Sequence, residues 1–188
     1  MPLVLILMLV AVGAPPLAQA QAPAEATIVL SAPQQVLGFT LGDSTVFDDP
    51  EMGRGFRYGG PGERFDVYIY PTSRDGAPDT RPAEEILAEQ TRLFFETLPE
   101  GIRQGWYEAF KPGSDEAHDL DLATGLVPGR MATVAFRSRG QVAVSSFYVF
   151  HVGGQLVKVR STVPAERLGD SQGGAFVRKL VEEILASP

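Results

Sequence analysis

Cysteine is absent from all 188 residues, which removes disulfide staples, thiolate metal sites, thiol nucleophiles and lipid attachment at a cysteine together. Stability must therefore come from packing. Histidine is almost as scarce: His118 and His151 are the only two, so any nucleophile–base pair has two imidazoles to draw on. Positive charge is short as well, with 16 Lys and Arg against 23 Asp and Glu and a formal charge of −7. That field disfavours a nucleic-acid partner or an anionic membrane surface.

Long apolar runs are confined to the first twenty residues, MPLVLILMLVAVGAPPLAQA. The run from Leu3 to Val12 meets Pro15 and Pro16 and then the small-x-small pattern Ala18-Gln19-Ala20, the pattern of a secretory signal peptide. A spanning helix needs about 20 continuous apolar residues, so no permanent membrane anchor is expected. The only positive charge ahead of the run is the terminal amine. On this reading residues 1–20 are the signal, 21–26 a short linker and 27–188 a single domain, located in the periplasm or outside the cell. Removing twenty residues leaves 188 − 20 = 168, enough for one hydrophobic core that buries about 70% of the unfolded chain's surface.

Along that domain TIVL and QQVLGFTL favour strands, and a turn-rich stretch follows with a short strand around Phe56. In RFDVYIYP, Phe65, Val67 and Ile69 alternate with Asp66, Tyr68 and Tyr70, which is strand periodicity. A helix is expected to begin near Pro82, capped by Asp79 or Thr80, and to end near Leu98 before Pro99 and Gly101. Its apolar stripe runs Ala83, Ile86, Leu87, Leu93 and Phe94. IRQGWYEAF fits neither period, because Gly105 spoils both, and HDLDLATGLVPG reads as weak pairing at a sheet edge. Three β-rich runs from Ala132 to Val163 are separated by Gly140 and by Gly153-Gly154, a meander signature. Phe176, Val177, Leu180, Val181, Ile184 and Leu185 then recur at helical spacing. The fold class is α+β, a mainly antiparallel sheet packed against two or more helices.

Two residues at Gly153-Gly154 make a tight turn, and the register follows from it. Val152 faces Gln155, Phe150 faces Val157, Tyr148 faces Val159 and Val144 faces Val163, giving a core face. On the other face His151 meets Leu156, Val149 meets Lys158, Phe147 meets Arg160 and Ser145 meets Thr162. Alternation thus spreads the reactive-looking groups instead of gathering them: His151 and Ser145 stand near 20 Å apart at about 3.3 Å per residue. This second face is expected to be partly solvated, with Arg160 stacked on Phe147. A ligand site there would use His151, Phe147, Lys158 and Arg160 to hold a small anionic or amphipathic molecule, or a protein partner's acidic segment.

Other motifs are weaker. Gly169-Asp170-Ser171-Gln172-Gly173 fits G-x-S-x-G, but no strand runs directly into it and no histidine follows, so Asp170 or Ser171 reads as a helix cap. Around His118 the acids Asp115, Glu116, Asp119 and Asp121 match no calcium loop and no zinc spacing. No catalytic residue, metal site or cofactor is assigned. Trp106, Tyr107 and Phe110 read as packing residues.

The second half, a meander closing on K-V-R-x-x-x-P from Lys158 to Pro164 and followed by one helix, resembles uncharacterised secreted bacterial proteins. Over residues 54–186 the order of strand, helix, long connection, meander and helix is similar to the PsbP-like α-β-α sandwich of extrinsic photosystem proteins. That resemblance implies an accessory, non-catalytic role and carries no residue assignment. The expectation is an exported binding or accessory protein of the bacterial envelope. Its rivals are a hydrolase using Ser171 or a metal near His118, and a structural subunit of an envelope complex.

Overall fold

The structure, a computed structural model, describes residues 30–60, 62–72 and 77–187. The expected signal and linker lie outside the described residues. Among the described residues ten strands form: β1 (Gln35–Val36), β2 (Phe39–Val46), β3 (Arg54–Gly60), β4 (Glu63–Pro71), β5 (Ala109–Ala117), β6 (Leu120–Leu122), β7 (Gly125–Val127), β8 (Gly129–Ser138), β9 (Gln141–Val152) and β10 (Gln155–Pro164). Helix α1 spans Ala83–Arg103 and helix α2 spans Gly173–Ala186, with single 3₁₀ turns at Pro50–Met52 and Ala165–Asp170. Eight strands make one sheet in the order β1-β2-β3-β4-β10-β9-β8-β5, and every neighbouring pair is antiparallel. β6 and β7 form a separate small hairpin.

The β9–β10 register is the one expected: Val152 pairs with Gln155, Phe150 with Val157, Tyr148 with Val159 and Val144 with Val163. Gly153 and Gly154 both have positive φ, 54° and 75°, which a tight two-residue hairpin requires and which side chains with a Cβ resist. β4 pairs with β10 from Gln155↔Pro71 to Ser161↔Phe65, so the meander is stitched to the first half of the chain. Alternation then decides two faces for four central strands at once.

Helix α2 seals one face. Phe176, Val177, Leu180, Val181 and Ile184 are all buried against Phe65, Val67, Tyr148, Phe150, Val157 and Val159. Phe176 stacks on Phe65 with centroids 3.8 Å apart and meets Tyr58 and Phe39 edge-on at 5.4 and 5.6 Å. Each large side chain buried there contributes about 1.5–3 kcal/mol.

The opposite face departs in part from expectation. Expected to be partly solvated, it is covered over part of its length by α1: Ile86 and Leu87 pack on Ala132, Phe147, Val149 and Leu156, all buried, while Lys158 and Arg160 stay partly exposed. The meander carries apolar side chains on both faces, so two helices are needed and the sheet becomes the middle layer of a sandwich. The helix is also longer than expected, running through Pro99 to Arg103. A proline this near a helix end forfeits one hydrogen bond, and the last turn is held from outside. Tyr107 donates to the Leu98 carbonyl at 2.5 Å, and its ring lies so close over Gly101 that a Cβ there would clash. Neither Asp79 nor Thr80 caps α1; Pro82 sits at the cap, and Asp79 is occupied by the Arg81 backbone N–H and guanidinium. β5 had no clear periodicity, because Pro112 and Gly113 sit at a register shift against β8.

Phe176 anchors the sealed face, so Phe176→Ala is expected to cost about 3–5 kcal/mol, read as a lowered denaturant midpoint. A loss under about 1 kcal/mol would contradict this packing.

Candidate functional site

The register places Lys158 beside Val149 of β9 and Tyr68 of β4. Its diagonal neighbours on the same face, Phe147 and Tyr70, come within reach of a long side chain. The ammonium lies over both rings, 4.9 Å from the Tyr70 centroid and 5.5 Å from that of Phe147. Phe147 in turn stacks on Phe94 of α1 at 4.6 Å. It is thus Lys158, and not Arg160, that lies over Phe147. Arg160 instead donates from Nε to the Ser145 hydroxyl at 3.0 Å. The carboxylate opposite it, Asp66, is engaged by Arg57 at 3.0 Å and Arg64 at 3.5 Å. No described carboxylate forms an ion pair with Lys158 or Arg160.

These two cations floor a groove of about 880 Å³ between α1 and the sheet. The first turns of α1 seat on the sheet, and from Gln90 onward the helix forms one wall through Leu93, Phe94 and Leu98. Trp106 and Tyr107 lie at its end and Phe136 closes the β8 side. Two acids, Glu96 and Glu100, line the groove, and each also pairs with an arginine of its own helix, Arg92 and Arg103. Beyond Lys158 a second hollow of about 340 Å³, lined by Phe47, Met52, Tyr68 and Tyr70, shares Tyr68, Gln90 and Lys158 with the groove. Lys158 therefore stands between two apolar compartments. Burial pushes its ammonium down to about 8 from 10.5, since nothing anionic offsets the lost hydration. Two aromatic faces return only about 0.5–2 kcal/mol.

Of the four residues expected at a ligand site, three line this groove: Phe147, Lys158 and Arg160. His151 does not. It shares the face but lies toward the hairpin turn, beyond Val149 and Leu156, which are packed under Ile86 and Leu87. Sequence reasoning missed the wall from α1, and Trp106, expected to be a packing residue, is instead 68% exposed at the groove, whereas Tyr107 does pack against α1. The apolar stripe of α1 was visible, yet its partner face was not. Another hollow, about 120 Å³ beside Arg57, is held by the Arg57–Asp66 and Arg57–Asp43 ion pairs.

The remaining reactive-looking groups are engaged in structure. Ser145 donates to the Ser161 carbonyl at 3.0 Å and accepts from Arg160 and Thr162. Ser171 donates to Glu63 at 2.8 Å and accepts the Gly173 N–H at 3.2 Å. Glu63 also accepts from the Ser161 hydroxyl and the Gln172 N–H, so a β4 carboxylate and Ser171 take two N–H groups at the start of α2, while the cap position itself falls to Gln172, whose side chain makes no capping bond, and not to Asp170 or Ser171. His118 lies against the rings of Tyr148 and Phe150, and burial holds its imidazole below the usual value. Two of its acidic neighbours are committed: Asp115 to Arg130 at 2.7 Å and Asp119 to the Gly129 N–H at 2.9 Å. Among the described residues no group of three or more His, Asp and Glu side chains is placed to hold a metal, and no helix is long and apolar enough to cross a membrane.

An antiparallel sheet with a helix on each face, and a groove between the sheet and α1, defines the class: an α+β protein of α-β-α sandwich form. No protein-family model and no curated protein matches the chain. Solved structures similar to it include cyanobacterial PsbP (CyanoP) from Synechocystis, with a TM-score of 0.43, 16% identity and coverage of 76% of this chain and 79% of that one. LpqN, involved in cell envelope biogenesis of Mycobacterium tuberculosis, matches with a TM-score of 0.43, 9% identity and coverage of 80% and 78%. A protein of unknown function from Pseudomonas aeruginosa matches with a TM-score of 0.36, 11% identity and coverage of 80% and 95%. No family and no residue role comes with these likenesses.

Removing the Ser171 hydroxyl deprives the first turn of α2 of one acceptor. Ser171→Ala is expected to lower stability by about 1 kcal/mol in urea denaturation. An ester- or peptide-cleaving activity of the purified chain that disappears on this change would contradict this structural role.

Proposed function

We propose that this chain is an exported, non-enzymatic binding protein of the bacterial envelope that holds a long-chain anionic amphipath in the groove between α1 and the sheet. One observation carries the reading: the Lys158 ammonium is half-buried in apolar surroundings without a carboxylate partner. Such a group costs stability, and a ligand carboxylate set between Lys158 and Arg160 would remove the cost by pairing the charge. The apolar walls, Leu93, Phe94 and Leu98 on one side and Phe136 on the other, suit a hydrocarbon tail. An acidic polypeptide fits less well. Glu96 and Glu100 along the groove and the net charge of −7 would repel it before it reached the cations at the floor. Export rests on the N-terminal apolar run with its Ala18-Gln19-Ala20 pattern.

Trp106 is the chain's one tryptophan and lines the groove, so its emission reports occupancy directly. Titration with dodecanoate below its micellar range is expected to shift that emission saturably, and Lys158→Met to weaken binding at least about tenfold, the loss of one charge-assisted hydrogen bond. The same variant is expected to be more stable than the parent by about 1–3 kcal/mol at neutral pH. The sign follows from linkage: the folded-state value lies below the unfolded 10.5, so the unfolded chain binds the proton more tightly and stability declines as pH falls from about 10.5 toward 8. The gain from methionine is therefore largest below about pH 8 and vanishes above about pH 10.5. No saturable change in Trp106, or a Lys158→Met variant that binds dodecanoate as well as the parent, would overturn the proposal.

A further inference from the structure

The geometry points to a second chemistry for the same groove: the Lys158 amine is a covalent capture site for long-chain aldehydes, forming an imine with a carbonyl carbon delivered by the apolar walls. This inference rests on the groove being a binding site for hydrocarbon chains. The chain has three lysines, Lys111, Lys158 and Lys179. Lys179 is ion-paired with Glu182 at 3.9 Å and Glu183 at 3.4 Å. Lys111 is exposed on edge strand β5, where water solvates its ammonium. Only Lys158 is both desolvated and without a carboxylate, and it opens on two apolar hollows at once.

The groups around it act in the same direction. Arg160, two residues on along the same face, brings no negative charge to it and is itself bonded to the Ser145 hydroxyl. Tyr68 and Tyr70 face it from β4 with neutral phenols, burial holding the Tyr70 hydroxyl far above its usual range. From α1 the uncharged Gln90 lines both hollows with it, while Glu96 and Glu100 line the groove and Glu51 the smaller hollow. Burial brings the amine down to about 8, so a substantial neutral fraction exists near physiological pH.

The chemistry balances without any redox partner. The ammonium first releases a proton to water. The nitrogen lone pair then forms a bond to the carbonyl carbon while the C=O π pair moves to oxygen, and proton transfer from nitrogen to oxygen gives a carbinolamine. Departure of one water, as the nitrogen lone pair forms the C=N bond, leaves the imine. An apolar groove that limits water slows the reverse hydrolysis.

The test treats the full chain at about pH 8 with dodecanal and sodium cyanoborohydride, which reduces the imine to a stable secondary amine, and maps the adducts by peptide mass spectrometry. The expected result is one dodecyl group on Lys158, formed at least about tenfold faster than on Lys111 or Lys179 and suppressed by prior saturation with dodecanoate. Lys158→Arg, which removes the amine, is expected to lose the adduct. Equal labelling of the three lysines, or an unlabelled Lys158 in a chain whose Trp106 still responds to dodecanoate, overturns the covalent inference and leaves the groove reading standing. Absence of both the adduct and the response overturns both.

Discussion

Two adjacent residues in the left-handed region, Gly153 and Gly154, fix where every side chain of the central hairpin points. With Val152 opposite Gln155, a period of two sends Tyr148, Phe150, Val157 and Val159 to one side and Phe147, Val149, Leu156 and Lys158 to the other. A slip of one residue would exchange these sets, driving the Lys158 ammonium into the α2 core and Phe150 out of it. β4 inherits the same constraint through its pairing with β10. Sheet, both helical layers and groove thus depend on one turn whose conformation glycine alone adopts freely.

The two layers are not equivalent. Five side chains of α2 are fully enclosed, and an aromatic cluster around Phe176 packs that side to completion. α1 is a helix of 21 residues, about 32 Å long at 1.5 Å per residue; Ile86 and Leu87 are buried on the sheet and Phe94 stacks on Phe147. The remainder, propped by Tyr107 against Gly101 and Leu98, walls an open space. Into that space projects the one lysine that violates the usual rule for buried charge, which is to be paired or absent. Local violations of folding rules concentrate at functional sites, and this one lies where a hydrocarbon tail and an anionic head would each find a complement.

Much of this was legible in the residues. Alternation in β4, β9 and β10 and the helical spacing of Phe176 to Leu185 gave elements, register and one core face, because each is a local pattern with a single period. The cover over the second face was missed because Val149 and Leu156 are interleaved with Lys158, Arg160 and Thr162, and such a mixture also suits a half-exposed sheet. What covers it depends on where α1 docks, a long-range fact with no local signature. The same gap explains the site. Phe147, Lys158 and Arg160 share a face by periodicity and do line one groove, whereas His151, on that face too, is cut off by side chains packed beneath α1. β5 escaped notice because Pro112, Gly113 and a register shift break its alternation.

The central claim is that Lys158 holds an uncompensated charge that a ligand carboxylate would complete. With only three lysines in the chain, a ¹³Cε NMR titration of selectively labelled lysine resolves each ammonium. The account predicts one resonance titrating near 8, assigned to Lys158 by its loss in Lys158→Met, and moving upward by at least about one pH unit on saturation with dodecanoate. Three lysines titrating together near the ordinary value, unmoved by dodecanoate, would contradict it.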